Sequence, residues 1–192
     1  MRSQVVNFVK RPLPASVPRQ TLRATLGLED STLVPILRDP ETVAEDTDAV
    51  FYFPGWATPA RWAPILGYPM RKPVLGWYDE ANPECVDWQI KWAVEHGITF
   101  FMVDWYWCQG GRHLEHWLHE AYQNAKYRDQ LQFALMWANH NAPNTHSADD
   151  WREVTQYWID HYLKMDEYYR IDGRPAVFIW APANIRRDVG GS

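Results

Sequence analysis

From residue 50 onward, short apolar runs alternate with helical stripes. Val50 to Phe53 is a continuous apolar run closed by Pro54 and Gly55, the pattern of a strand covered on both faces. Asn82, Pro83 and Glu84 then supply a cap, a first-turn proline and an acid at the positive end of a helix. Val86, Ile90, Ala93 and Val94 share one face of that helix, and Gly97 stops it. A second strand is expected over Ile98 to Val103, and a second helix through Leu114, Trp117, Leu118, Ala121 and Ala125. Leu131 to Trp137 reads as a third strand. Ser147 with Asp150 three residues on resembles a capping box; Trp151, Val154, Trp158, Ile159 and Tyr162 carry the helix it starts. Arg170 to Arg174 is a turn, and Pro175 admits a fourth strand over Ala176 to Trp180.

This order, β-α-β-α-β-α-β with continuously apolar strands, argues for a parallel sheet buried on both faces. The strand starts at Val50, Ile98, Leu131 and Ala176 are 48, 33 and 45 residues apart. A (β/α)8 barrel needs about 31 residues per unit before insertions. The expected fold is therefore α/β: parallel β/α units making the first half of a TIM-type barrel, with its missing half on a longer chain or supplied from elsewhere. Open sheet edges would then favour self-association. An open doubly wound sheet is the rival, but no Gly-rich phosphate turn follows any strand. Residues 1–49 differ, with Pro12, Pro14, Pro18, Pro35 and Pro40 and an acidic run at Glu41, Glu45, Asp46 and Asp48. They read as an irregular arm ahead of a barrel domain over 50–192.

Composition narrows the partners. Apolar residues make up 46% and charged residues 22% of the chain, ordinary for a globular protein. Twelve tryptophans and ten tyrosines are not ordinary, and imply either a very aromatic core or a surface that stacks on flat ligand faces. A net charge of −5 argues against nucleic acid, whose phosphates want a basic stripe. No apolar run reaches the ~18 residues of a membrane span. The N-terminus has charges and prolines where a signal peptide has its apolar block, so the expected location is cytoplasmic. Cys85 and Cys108 form neither a disulfide framework nor a metal spacing and read as reduced thiols.

The carboxyl ends of the strands hold the candidate chemistry, because sites of parallel α/β folds lie there. Strand one ends in Tyr52, Pro54, Gly55 and Trp56, and strand two in Asp104, Trp105, Tyr106 and Trp107. Strand three ends in Trp137, Asn139, His140 and Asn141, and strand four in Trp180. Aromatic faces beside Asn, His and Asp suit sugars, which offer C–H faces and hydroxyls to a concave, mostly apolar site. Along an extended chain Trp105, Tyr106 and Trp107 cannot all point the same way, so one or two of them serve packing. Trp88, Trp92, Trp117, Trp151 and Trp158 lie on expected helices and read as packing. His113, His116 and His119 lack the i, i+4 spacing of metal pairs and read as a solvated helix face.

Several segments together resemble the glycoside hydrolase family 99-like proteins: YFPGW at 52–56, LGWYDEANPECVDWQIKWAVEHGI at 75–98, FFMVDWYW at 100–107, FALMWANHN at 133–141 and YYRIDGRPAVFIW at 168–180. The resemblance covers roughly residues 50–182 and leaves 1–49 untouched. It implies a (β/α)8 barrel acting on glycans, in relatives that are endo-acting mannosidases or domains found with polysaccharide and O-antigen assembly. Asp104, Trp105, Tyr106, Trp107, Trp137 and Asn139 match the family-99-like pattern. Where many such sequences carry Glu, this chain has His140.

The expected function is thus glycan hydrolysis or binding without a cofactor or metal. Asp104 and His140 are the candidate catalytic groups. Tyr52, Trp56, Trp105, Tyr106, Trp107, Trp137, Asn139, Asn141 and Trp180 are the candidate substrate contacts. Glycoside hydrolysis commonly uses two carboxylates, and Asp104 is the one this chain offers with a clear placement. Non-catalytic glycan binding, or a role in polysaccharide assembly, needs no acid pair; a truncated, inactive remnant is the third reading.

Overall fold

The computed structural model describes residues 47–190 except Thr58 and Gln109. Nearly all of the arm expected over 1–49 lies outside the described residues. Four parallel strands form the sheet: β1 (Ala49–Tyr52), β2 (Phe100–Cys108), β4 (Gln132–Trp137) and β7 (Val177–Ile179), in the spatial order β1-β2-β4-β7. Strands adjacent in space are therefore successive β/α units, as in one arc of a barrel. The α/β expectation holds.

Two helices cover one face. The first, α1 (Pro83–Glu95), begins where the Asn82 side chain accepts from the Glu84 amide at 2.9 Å. It ends in a Schellman motif: the Ile98 amide donates to the Ala93 carbonyl and the Gly97 amide to that of Val94. Gly97 takes φ 80°, a left-handed position that costs glycine nothing. The second, α2 (Ala148–His161), is capped by Ser147, whose hydroxyl accepts from the Asp150 amide at 3.0 Å. The expected 170–174 turn is a hairpin between β5 (Arg170–Ile171) and β6 (Arg174–Pro175), with Asp172 and Gly173 both at positive φ as a two-residue primed turn requires.

Two expectations are corrected. The second strand does not stop at Val103. It runs to Cys108 and folds back on β3 (Gly111–His113), pairing Trp107 with Arg112 and Cys108 with Gly111. His113 therefore lies on a strand rather than a helix face. The expected second helix is instead a π-helical turn, Trp117–Ala121, followed by a 3₁₀ turn, Tyr122–Asn124. An apolar stripe requires the segment to turn onto the sheet; it does not dictate which hydrogen-bond pattern closes the turns.

The core lies between the sheet and these helical segments. It holds Val86 and Ile90 of α1, Val103 and Trp105 of β2, Phe133 and Leu135 of β4, Val154 and Trp158 of α2, and Trp117 and Tyr122 of the irregular turns. Register assigns the faces. Trp105, Trp137 and Ile179 stand in one row on the helix-covered side. One residue earlier, Asp104, Met136 and Phe178 stand in a row on the other side. Phe51 and Met102 pair one row further back on that same side.

Candidate functional site

Period-two alternation along β2 sends Met102, Asp104 and Tyr106 to the side away from the helices, while Val103, Trp105 and Trp107 are buried against them. Asp104 therefore emerges near the carboxyl end of β2 on the uncovered face. Tyr106, two residues on and on the same side, places its phenol near that carboxylate. From the loop after β4, His140 packs edge-on against the Tyr106 ring at 5.7 Å and adds an electrostatic interaction with Asp104. Phe53 meets Tyr106 edge-on at 6.4 Å, and Phe51 meets Trp180 edge-on at 6.3 Å. Phe51, Phe53 and Trp180 are exposed, Trp180 at 58%.

Burial pushes the Asp104 carboxyl up to about 6, with the neighbouring His140 and Tyr106 side chains pulling the other way. The charged form is thus short of solvation, and Oδ1 is buried with no hydrogen-bond partner. Such a carboxylate takes a proton readily near neutrality and accepts a hydrogen bond from an incoming hydroxyl. Burial, followed by the Asp104 charge, raises the Tyr106 phenol, so it remains a donor at neutral pH.

The structure divides the sequence-derived candidates into two groups. Asp104, Tyr106, His140 and Trp180 share the uncovered side. The stacking wall expected of Trp105 or Trp107, and of Trp137, is corrected by burial. Trp105 is 1% exposed, packs on Trp158 and Tyr157, and donates its indole N–H to Glu115 at 3.0 Å. Trp107 donates to Asp150 at the start of α2. Trp137 is buried and stacks on Trp151.

Both asparagines are structural ties. Asn139 is fully buried, accepts from the Ala181 amide at 2.7 Å and donates to the Ala181 carbonyl at 2.9 Å, joining the ends of β4 and β7. Asn141 donates to the Trp107 carbonyl at 2.8 Å. Tyr52 faces the helix side, stacked on Phe101, with its hydroxyl in hydrogen-bond contact with Glu80 at 3.1 Å and Gln89 at 2.9 Å. Half-buried Trp56 stacks on Trp62 at 4.2 Å.

Phe51 and Phe53, not among the expected contacts, join the uncovered face; their alternation with Tyr52 is the sequence signal for it. Glu80 is 2% exposed and clamps the end of β1, accepting from the Tyr52 hydroxyl at 3.1 Å and the Trp56 amide at 2.7 Å. Burial pushes its carboxyl up to about 7, against the two hydrogen bonds that favour the charged form.

A separate hollow of about 390 Å³ lies by the α2 N-terminus, lined by Asn144, Thr145, His146 and the carboxylates Asp149, Asp150 and Glu153 among others; Asp104 is not part of it. Its wall is held by Asp188, which accepts from the amides of Asn144, Thr145 and His146 and from the His146 ring. Among the described residues, no group of three His, Cys, Asp or Glu side chains is arranged to hold a metal.

The fold is similar to that of the GH99 endo-alpha-mannosidase from Bacteroides thetaiotaomicron in complex with BIS-TRIS-propane, at 23% identity and a TM-score of 0.50, over 72% of this chain and 43% of that one. A second structure of that enzyme aligns at 22% identity and a TM-score of 0.49, over 72% of this chain and 46% of the enzyme. The fold expected from the family 99 resemblance is thus shared with the first of these structures, over less than half of that larger chain. Proteins from two strains of Xanthomonas campestris pv. campestris, both called uncharacterized protein WxcX, are 26% identical over 121 residues; the match covers 56% of this chain and only 17% of theirs. The match that defines the family runs from Tyr68, in the connection between β1 and α1, to Val189 beyond β7: over residues 68–189 the chain belongs to the family described as Glycosyltransferase WbsX.

Proposed function

We propose that this chain supplies the first half of a carbohydrate-active barrel, in which Asp104 accepts a proton from a hydroxyl at a sugar-binding face. The observation that carries this reading is a half-buried carboxylate, one oxygen unpartnered, set beside Tyr106 and His140 on a face that also bears exposed Phe51, Phe53 and Trp180. The aromatic edges suit the C–H faces of a pyranose, and the polar trio suits its hydroxyls.

As the attacking oxygen bonds to the anomeric carbon, Asp104 takes its proton, and the leaving oxygen departs with the bonding pair. Water as the attacking group gives hydrolysis; a sugar hydroxyl gives transfer. The family's description favours transfer, and the likeness to an endo-alpha-mannosidase makes alpha-linked mannose the first substrate to try. Protonation of the leaving oxygen falls to an acid from the other half of the barrel.

The test uses the longest natural form of the protein with alpha-linked manno-oligosaccharides, separating hydrolysis from transfer by the products. Asp104→Asn should lower turnover by at least ~100-fold with the fold intact. Unchanged turnover would overturn the role of Asp104. Saturable binding without turnover in the unmodified protein would favour a glycan-binding module instead.

A further inference from the structure

The connection between β1 and α1 carries a surface that the sugar site does not use. From Phe51 to Tyr78 there is no Asp or Glu, while Arg61, Arg71 and Lys72 are present, in a chain whose net charge is −5. The same stretch exposes large apolar side chains close together in sequence: Leu66 at 50%, Tyr68 at 54%, Met70 at 80% and Val74 at 41%. Soluble surfaces carry single exposed apolar residues routinely, but a cluster of this kind marks an interaction site.

Local structure holds these tips outward. Two 3₁₀ turns, Ala63–Ile65 and Pro69–Arg71, order the segment, with Pro64 and Pro69 each restricting the backbone at a turn. Arg71 lies over the Tyr68 ring at 5.7 Å and Lys72 over the Trp77 ring at 5.9 Å. Among the described residues, neither these two nor Arg61 forms a salt bridge with a carboxylate. Cations kept beside aromatic rings, next to exposed Met and Leu tips, match the layering of a lipid surface: phosphates outermost, ring edges at the headgroup level, hydrocarbon beneath.

We propose that residues 61–74 dock this protein on an anionic membrane surface, with Leu66, Tyr68, Met70 and Val74 entering the interface and Arg61, Arg71 and Lys72 engaging lipid phosphates. Charge complementarity selects this occupant. A net acidic chain is repelled by an anionic surface in most orientations, and its acid-free stretch removes that repulsion. The segment leaves the carboxyl end of β1 and returns to the N-terminus of α1, so it belongs to the same rim of the sheet as Asp104. The contact is peripheral, and no helix among the described residues is long and apolar enough to cross a membrane. It holds whether or not the glycan chemistry of Asp104 is correct.

The experiment is co-sedimentation of the purified chain with vesicles of phosphatidylcholine alone or mixed with phosphatidylglycerol. Binding should favour the mixed vesicles and weaken as salt shortens the screening length to about 8 Å. Arg71→Gln with Lys72→Gln should lower partitioning onto the mixed vesicles roughly 30-fold, a factor of about five for each cation lost. Leu66→Ser with Met70→Ser should lower it on both vesicle types. All four side chains are exposed, so the melting temperature should hold, which separates docking from folding. Equal binding to both vesicle types, or no loss in the Arg71/Lys72 variant, overturns the proposal. So does self-association without lipid that the Leu66/Met70 variant abolishes, because a second copy would then cover the surface.

Discussion

Replacing Glu80 with Gln tests the buried clamp at the end of β1 through the pH dependence of stability. The carboxyl sits at about 7 in the folded chain against an ordinary value of 4.5. The folded state therefore holds this proton more tightly than the unfolded state. Stability attributable to Glu80 is greatest below 4.5 and falls as pH rises toward 7, because ν_N exceeds ν_U across that window. At about 1.36 kcal/mol per pH unit, the loss amounts to about 3 kcal/mol. Glutamine keeps an oxygen for the Trp56 amide and can still meet the Tyr52 hydroxyl, but it carries no charge to desolvate. Urea unfolding followed by tryptophan fluorescence should give similar stability for the two proteins at pH 4. By pH 8 the variant should be about 3 kcal/mol more stable. A difference that stays flat across that range would refute the reasoning, since a solvated Glu80 carboxylate has no such penalty.

Other outcomes follow from the same contacts. If Asp104 works as a proton acceptor, activity should rise through pH about 6, where its carboxyl ionises, and that limb should vanish in Asp104→Asn; a pH–rate profile reads it directly. Trp180→Ala should weaken glycan binding at little cost to folding, because the ring is exposed; calorimetry and a melting curve together check both halves. Trp105→Ala should do the reverse, costing ~3–5 kcal/mol of stability by opening the core, and an unaltered denaturation midpoint would contradict that packing role. Ser147→Ala should cost about 1 kcal/mol through the lost cap of α2. Asp188→Asn should speed hydrogen exchange at the Asn144, Thr145 and His146 amides, which its carboxylate now holds.

Much of the scaffold was legible because it rests on local chemistry. Asn82 and Ser147 cap helices where side-chain oxygen, spacing and the following apolar stripe all agree. Gly97 ends α1 because the left-handed C′ position favours a residue without a Cβ. The strand at 132–137 was visible as an unbroken apolar run. The β2–β3 hairpin was not: Gly110 and Gly111 suit a loop as well as a turn, and only Arg112 and His113 pairing back onto Trp107 and Tyr106 separates the two.

The site shows the same division more sharply. Sequence alone established that Asp104 follows an apolar run and precedes three aromatics, and that neighbours along a strand alternate sides. It could not assign the phase, because a one-residue shift exchanges the two faces while leaving the pattern intact. Packing decided it. Trp105 and Trp107 found α2 and the partners Glu115 and Asp150, which sent Asp104 and Tyr106 to the uncovered face, where His140 meets them. Asn139 changed meaning for the same reason. It looks like a ligand-facing polar group until the backbone it satisfies, at Ala181, is brought beside it from 42 residues away. Chain order carries periodicity and capping, which depend on near neighbours; which side is inside depends on contacts between segments that only folding brings together.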